Sequence, residues 1–190
     1  MNKFLYTILI IIVSIECSFS QNFESGAFAA PVLKFTKLID QSSLVLGVKA
    51  GWIIDKKIVL GAGYYVLTRG VKTSYSNLES DQNILMNFNY GGLEFEYLLL
   101  YDTRFNISLD MLLASGGQNF YVANQNRNYG TASLLVWEPQ LNLEIKLYDW
   151  LHADAGISYR MISKNYVLYG VTRDDLQGIN FLLTFKIGKY

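Results

Sequence analysis

LLVWEPQLNLEIKLYDWLHADAGISYRM, residues 134–161, is two runs of alternating residues joined by a very short turn. In the first run Leu135, Trp137, Pro139, Leu141, Leu143, Ile145 and Leu147 share one face. Val136, Glu138, Gln140, Asn142, Glu144 and Lys146 share the other. After Tyr148-Asp149-Trp150, the second run sets Leu151, Ala153, Ala155, Ile157, Tyr159 and Met161 against His152, Asp154, Gly156, Ser158 and Arg160. A period of two puts alternate side chains on opposite sides of a strand. Here one side is apolar and the other carries mixed charge. That is the pattern of a hairpin that crosses a membrane, apolar toward lipid and polar toward an enclosed interior.

The same period extends outward to six more strands, over residues 26–37, 44–54, 58–68, 85–99, 105–114 and 178–190. With the opening pair this makes an all-β chain, an eight-stranded antiparallel up-and-down transmembrane barrel. In the strand over 85–99, Met86, Phe88 and Tyr90 read as outward, and the phase then switches to Leu93, Phe95 and Tyr97. Gly91-Gly92 marks the switch as a β-bulge. The connections 55–57, 101–104 and 148–150 are tight, whereas 68–84, 115–132 and 162–177 are long and polar. The segment 38–43 is short but lies on the long-loop side. Short and long alternate, as when one rim faces the periplasm and the other the outside. Asp55, Asp102 and Asp149 recur at a constant interval of 47 residues, one at each tight turn, where such side chains hydrogen-bond locally.

Residues 1–20 are a separate object. Lys3 is followed by an almost unbroken apolar run over 4–15, and Cys17-Ser18-Phe19-Ser20 precedes the polar Gln21-Asn22. This reads as a cleaved secretory signal peptide, leaving 21–190 as the barrel domain. The run is too short to span comfortably as an anchor. Ser14-Ile15-Glu16 before Cys17 is a poor lipidation motif. Cys17 is the sole cysteine, so the mature chain carries no disulfide, which favours a bacterial envelope protein over a stapled secreted domain. Charged residues are 17% and aromatic residues 15% of the chain. Formal net charge is zero, so no basic surface argues for nucleic acid.

The inward positions include the acids Glu94, Glu96, Asp110, Glu138, Glu144 and Asp154, and the bases Lys34, Lys49, Lys146, Arg160 and Lys186. Enclosed charges so nearly balanced should pair, because unpaired burial costs several kcal/mol per ion. Eight strands leave an interior just wide enough for side chains to fill, so a plugged, salt-bridged lumen is expected. Trp52, Tyr97, Tyr101, Tyr148 and Trp150 gather at the short-turn rim, with Tyr64, Tyr90, Trp137 and Tyr159 toward the other. Two such bands fit aromatic girdles at the headgroup level. His152 is the sole histidine, so no His-rich metal site can form, and no cofactor motif is present. A triad of His152, Ser158 and Asp154 would have to converge from one strand, so His152 reads as a hydrogen-bonded lumen residue. Pro139 lacks a ladder N–H and marks a local break or bulge, a conceivable lateral opening to lipid.

On these residues the chain resembles the small outer-membrane β-barrel proteins of Bacteroidota-type bacteria, with the OmpA/OmpX architecture. The resemblance is carried by Tyr90-Gly91-Gly92-Leu93-Glu94-Phe95-Glu96-Tyr97, Trp137-Glu138-Pro139, Gly156-Ile157-Ser158-Tyr159-Arg160, Asp174-Asp175-Leu176-Gln177-Gly178 and the ending Phe185-Lys186-Ile187-Gly188-Lys189-Tyr190. The terminal aromatic is similar to the signal read by the barrel assembly machinery, although Tyr190 falls on the inward parity. The resemblance implies location in the bacterial outer membrane, a monomer among outer-membrane lipid, and no activity that can be carried over residue by residue. The expected role is a non-enzymatic surface barrel whose external loops take a surface ligand or which stabilises the envelope. The alternatives are a lipid-modifying barrel, similar to lipid A deacylases and acyltransferases, a small pore or transport barrel, and a soluble lipocalin-like carrier. The lipid-modifying enzymes it resembles work at the outer leaflet, whereas His152 maps near the inner rim. A lipocalin would need the apolar face inside.

Overall fold

Neighbouring strands are consecutive in sequence almost everywhere, so the wall is built from hairpins. The computed structural model describes residues 25–77, 82–100, 104–122, 125–163 and 169–190. Residues 1–20, expected to be a signal peptide, and Tyr101 and Asp102 lie outside the described residues. The strand segments are β1 (Ser25–Leu38), β2 (Gln41–Ile54), β3 (Ile58–Leu67), β4 (Val71–Asn77), β5 (Gln82–Leu98), β6 (Phe105–Val122), β7 (Gln125–Tyr148), β8 (Leu151–Ile162) and β9 (Gly178–Lys189). Both β3 and β4 pair antiparallel with β5, from Ile58↔Tyr97 to Val66↔Asn89 and from Val71↔Met86 to Asn77↔Gln82. They are one wall position interrupted at residues 68–70. The ring closes because β1 also pairs with β9, from Ala27↔Lys189 to Thr36↔Asn180. The result is a closed eight-stranded all-antiparallel barrel.

Turn chemistry sets the hairpins. Ile39-Asp40 joins β1 to β2 with φ of 50° and 57°, and Asp55-Lys56 opens the β2–β3 turn with φ of 49° and 56°. Paired positive φ gives a backbone twist that matches the flanking strands. A β-branched residue rarely sits there. Ile39 is held by its N–H, which donates to the Asp175 carbonyl at 2.9 Å, and by packing on the buried apolar cluster. The β7–β8 turn has no such residues, and its ladder shifts register between Lys146 and Tyr148.

The strands outrun the sequence reading. β6 continues to Val122, β7 begins at Gln125, and β4 occupies part of the expected 68–84 loop. Above the hydrocarbon neither face of a strand has to be apolar. Gly116-Gly117-Gln118-Asn119 therefore reads as loop while its ladder to Ser133, Ala132 and Thr131 continues.

The expected phase switch in β5 does not occur. Register runs unbroken past Gly91-Gly92 on both sides of the strand. Met86, Phe88 and Tyr90 are fully buried, on the same face as Glu94 and Glu96. Gly92 is there for proximity: a Cβ would collide with the Leu113 carbonyl on β6. Pro139 does break a ladder, since β7–β8 pairing skips from Trp137↔Met161 to Gln140↔Ser158, but the register is the same on both sides and there is no bulge. Pro31 leaves a similar gap between Ala29↔Ile187 and Val32↔Thr184.

The inside is layered. Toward the short turns it is ionic, and toward the long loops it is apolar, a cluster including Met86, Phe88, Leu112, Phe120, Val136 and Leu182. Residues 169–177, just before β9, cover the mouth and lower Val171 and Leu176 into that cluster, each 1% exposed. Phe88→Ala should lower stability to urea unfolding by about 3–5 kcal/mol, as for a large-to-small change in a core. Phe95→Ala, on the outer wall, should cost clearly less. Equal losses would put Phe88 outside.

Candidate functional site

The lumen collects the chemistry-bearing side chains because every strand from β5 to β9 sends a polar residue inward at the same height. At the short-turn end Phe28, Ala30, Ile53 and Val59 form a small apolar floor with Tyr190 against it. Tyr190 is the inward aromatic its parity requires. Its ring stacks on His152, centroids 3.6 Å apart, and on Phe28 at 6.3 Å.

Two lysines stand above that floor, each among carboxylates. Lys186 Nζ lies 2.8 Å from Glu96, 2.8 Å from Glu144 and 3.0 Å from Asp154. Lys49 Nζ lies 3.1 Å from Glu94, 3.1 Å from Asp110 and 3.9 Å from Glu96. By spacing alone Glu96, Glu144 and Asp154 could hold a metal ion. The Lys186 ammonium sits among them instead, so the chain supplies this cluster with a tethered cation. Nearer the long loops, Glu138 accepts from Lys34 at 2.8 Å, Ser158 at 2.6 Å, Asn180 at 3.1 Å and Tyr90 at 3.1 Å. Lys34 also lies over the Tyr65 ring, 3.7 Å from its centroid, a cation–π contact. Tyr65 donates a short hydrogen bond to Glu94.

Arg160 marks the boundary between the layers. Its Nε donates to the Leu176 carbonyl at 2.7 Å and its Nη2 to Thr36 at 3.1 Å, while its guanidinium lies over Phe88. A fully buried arginine therefore ties the mouth-covering segment to the wall.

Ten of the eleven expected lumen charges are buried: Lys34, Lys49, Glu94, Glu96, Asp110, Glu138, Glu144, Asp154, Arg160 and Lys186. Lys146 is a correction. The β7–β8 ladder loses its register just past this point, between Lys146 and Tyr148, and Lys146 is exposed at the rim, 2.9 Å from Asp149. That hydrogen bond holds the exposed Asp149 carboxyl below its ordinary range. Without Lys146, six inward carboxyls face four permanent cations. Neutral donors meet the difference: Ser108 bonds Glu96 at 2.6 Å, Asn106 bonds Glu144 at 3.1 Å, and Ser158, Asn180 and Tyr90 bond Glu138. His152 Nδ1 lies 2.9 Å from Glu144. His152 and Ser158 are not brought together, being roughly 20 Å apart along an extended strand and bonded to different glutamates.

Outside, Trp52, Tyr97, Tyr148 and Trp150 are exposed near the short-turn rim, with Tyr148 and Trp150 stacked at 5.8 Å. Trp137, Tyr64 and Tyr159 are exposed on the wall, but Tyr90 is inside. Sequence reading missed the apolar half of the lumen. Its signal was the unbroken even-numbered parity from Ile84 to Leu98.

This geometry defines a class: a closed antiparallel barrel of outer-membrane type, with large apolar side chains outside and ion pairs enclosed. Among solved structures the chain is similar to Neisserial surface protein A, with TM-score 0.59 and 11% identity over 86% of this chain and 96% of that one. It is similar to the N-terminal β-barrel domain of Pseudomonas aeruginosa OprF, with TM-score 0.58 and 11% identity over 88% and 99%. It is also similar to Ail, the attachment invasion locus protein of Yersinia pestis, with TM-score 0.55 and 14% identity over 90% and 100%. These neighbours are outer-membrane barrels, and at such identity they show the fold alone. No protein-family model and no curated protein matches the sequence.

The Lys34–Glu138 pair gives a direct test of the enclosed charge. Lys34→Met or Glu138→Gln alone should each cost about 3–5 kcal/mol, because each leaves a buried partner uncompensated. The double variant should recover much of that loss in a double-mutant cycle of urea unfolding. Additive losses would mean the two groups do not interact.

Proposed function

We propose that the chain is a non-enzymatic integral barrel of the bacterial outer membrane, with a filled lumen. Its role is to stabilise the envelope or to make surface contacts through its long-loop rim. The observation that supports this most is the sidedness of the wall: Leu93 is 71% exposed while its neighbour Glu94 is 7% exposed. That arrangement is stable with hydrocarbon outside and is the reverse of what a water-soluble carrier needs. The sequence resemblance supports a protein of the Bacteroidota kind. In this reading its partners are outer-membrane lipid and, during biogenesis, the barrel assembly machinery, with the chain a monomer that uses no nucleic acid and no cofactor. The packed ionic and apolar layers argue against a pore, and no observation favours a lipid-modifying reaction.

The protein should fractionate with the outer membrane, and the unboiled form should migrate differently from the boiled form on gels. Recovery in the soluble fraction without detergent would overturn the reading. In planar bilayers it should give no stable openings; sustained conductance steps would replace the filled lumen with a pore.

A further inference from the structure

The outer wall near the long-loop rim carries two depressions that share a border. The first is a groove of about 890 Å³ across β1 and β9, with Phe35, Tyr159, Ile179 and Phe181 as its apolar lining and Lys37 at its edge. The second is a polar cleft of about 410 Å³ between the start of β2 and the β3–β4 interruption, lined by Thr68 and Arg69. Ser42, Ser43 and Leu44 line both. The cleft exists because the β2–β3 ladder ends at Val45↔Leu67. Beyond it the two segments are bridged by side chains instead: Gln41 donates to the Lys72 carbonyl at 2.8 Å, and the Thr68 hydroxyl donates to the Leu44 carbonyl at 2.8 Å.

Among the described residues the side chains of Lys37 and Arg69 form no ion pair. Asp40, at the hairpin tip, is the one carboxylate in either lining. Lys37 at the edge of the trough and Arg69 in the cleft thus stand on either side of Ser42, which shares the outward parity of Leu44 and Leu46 and lies opposite Lys37 in the β1–β2 register. A soluble anion would use the cleft and leave the trough empty, and a neutral lipid would do the reverse.

We propose that the tract is a binding site for one phosphorylated lipid of the surrounding leaflet. Its acyl chain lies along Phe35 and Phe181, and its phosphate sits over Ser42 between Lys37 and Arg69. This rests on the membrane-spanning reading. Folding is therefore checked separately, by heat-modifiable migration of every variant, so that a failed barrel and a failed site are told apart.

The test is native mass spectrometry of the full-length mature protein in neutral detergent. The probes are phosphatidylglycerol, a galactosyl diacylglycerol without phosphate, and soluble glycerol phosphate. One phosphatidylglycerol should be retained, the galactolipid at least tenfold more weakly, and glycerol phosphate not measurably. K37E/R69E should weaken phosphatidylglycerol retention tenfold or more, and K37Q/R69Q by a smaller factor. K57E/R104E, the same charge change at the opposite rim, should leave it unaltered. Equal retention of the galactolipid, equal loss in both charge-reversed variants, or glycerol phosphate binding as well as the lipid would each overturn the proposal.

Discussion

A strand in hydrocarbon has no water to meet its N–H and C=O groups, so a sheet that crosses a membrane has to close on itself. The pairing of β1 with β9 is that closure, and everything inside follows from its circumference. With eight wall positions the enclosed space holds side chains and little else. Each inward residue then has to find its partners among the other inward residues.

The chain meets this demand with two chemistries. Near the short turns, flexible lysines on β2 and β9 reach into groups of carboxylates from β5, β6, β7 and β8. A lysine suits this role because its four-carbon stem can run along apolar neighbours and still place the ammonium centrally, as Lys186 does with its ammonium over the Phe28 ring. Near the long loops the wall switches to Met, Phe and Leu, and the mouth is covered by the segment carrying Val171 and Leu176. Arg160 belongs to both layers, and its bond to the Leu176 carbonyl couples them. A polar interior alone would have left the mouth segment nothing to bury.

Much of the architecture was legible in residues 134–161, because a lipid-facing wall enforces alternation where it meets hydrocarbon. Where that constraint lapses, so does the signal. Residues 115–122 and 125–132 continue the strands in a zone where neither face has to be apolar, and they read as loop. Met86, Phe88 and Tyr90 were placed outside for a related reason. An apolar residue looks alike on either face once the interior is assumed to be polar throughout, and the neighbouring glycines offered a convenient bulge. Lys146 failed because the β7–β8 ladder becomes irregular beside it, at a rim where inward parity no longer means burial. The Ser42–Ser43 tract could not be read at all, since it depends on where one ladder stops rather than on which residues alternate.

Ile39 carries a last consequence. A two-residue turn built on Ile39-Asp40 permits one alignment of β1 on β2, with Leu38 opposite Gln41. Sliding β1 by a single residue would rotate Lys34 from the lumen onto the apolar outer face, where a bilayer midplane would cost a lysine roughly 2–4 kcal/mol. The awkward backbone of one isoleucine therefore acts as a ratchet tooth. A hairpin misaligned at this turn would carry that cost.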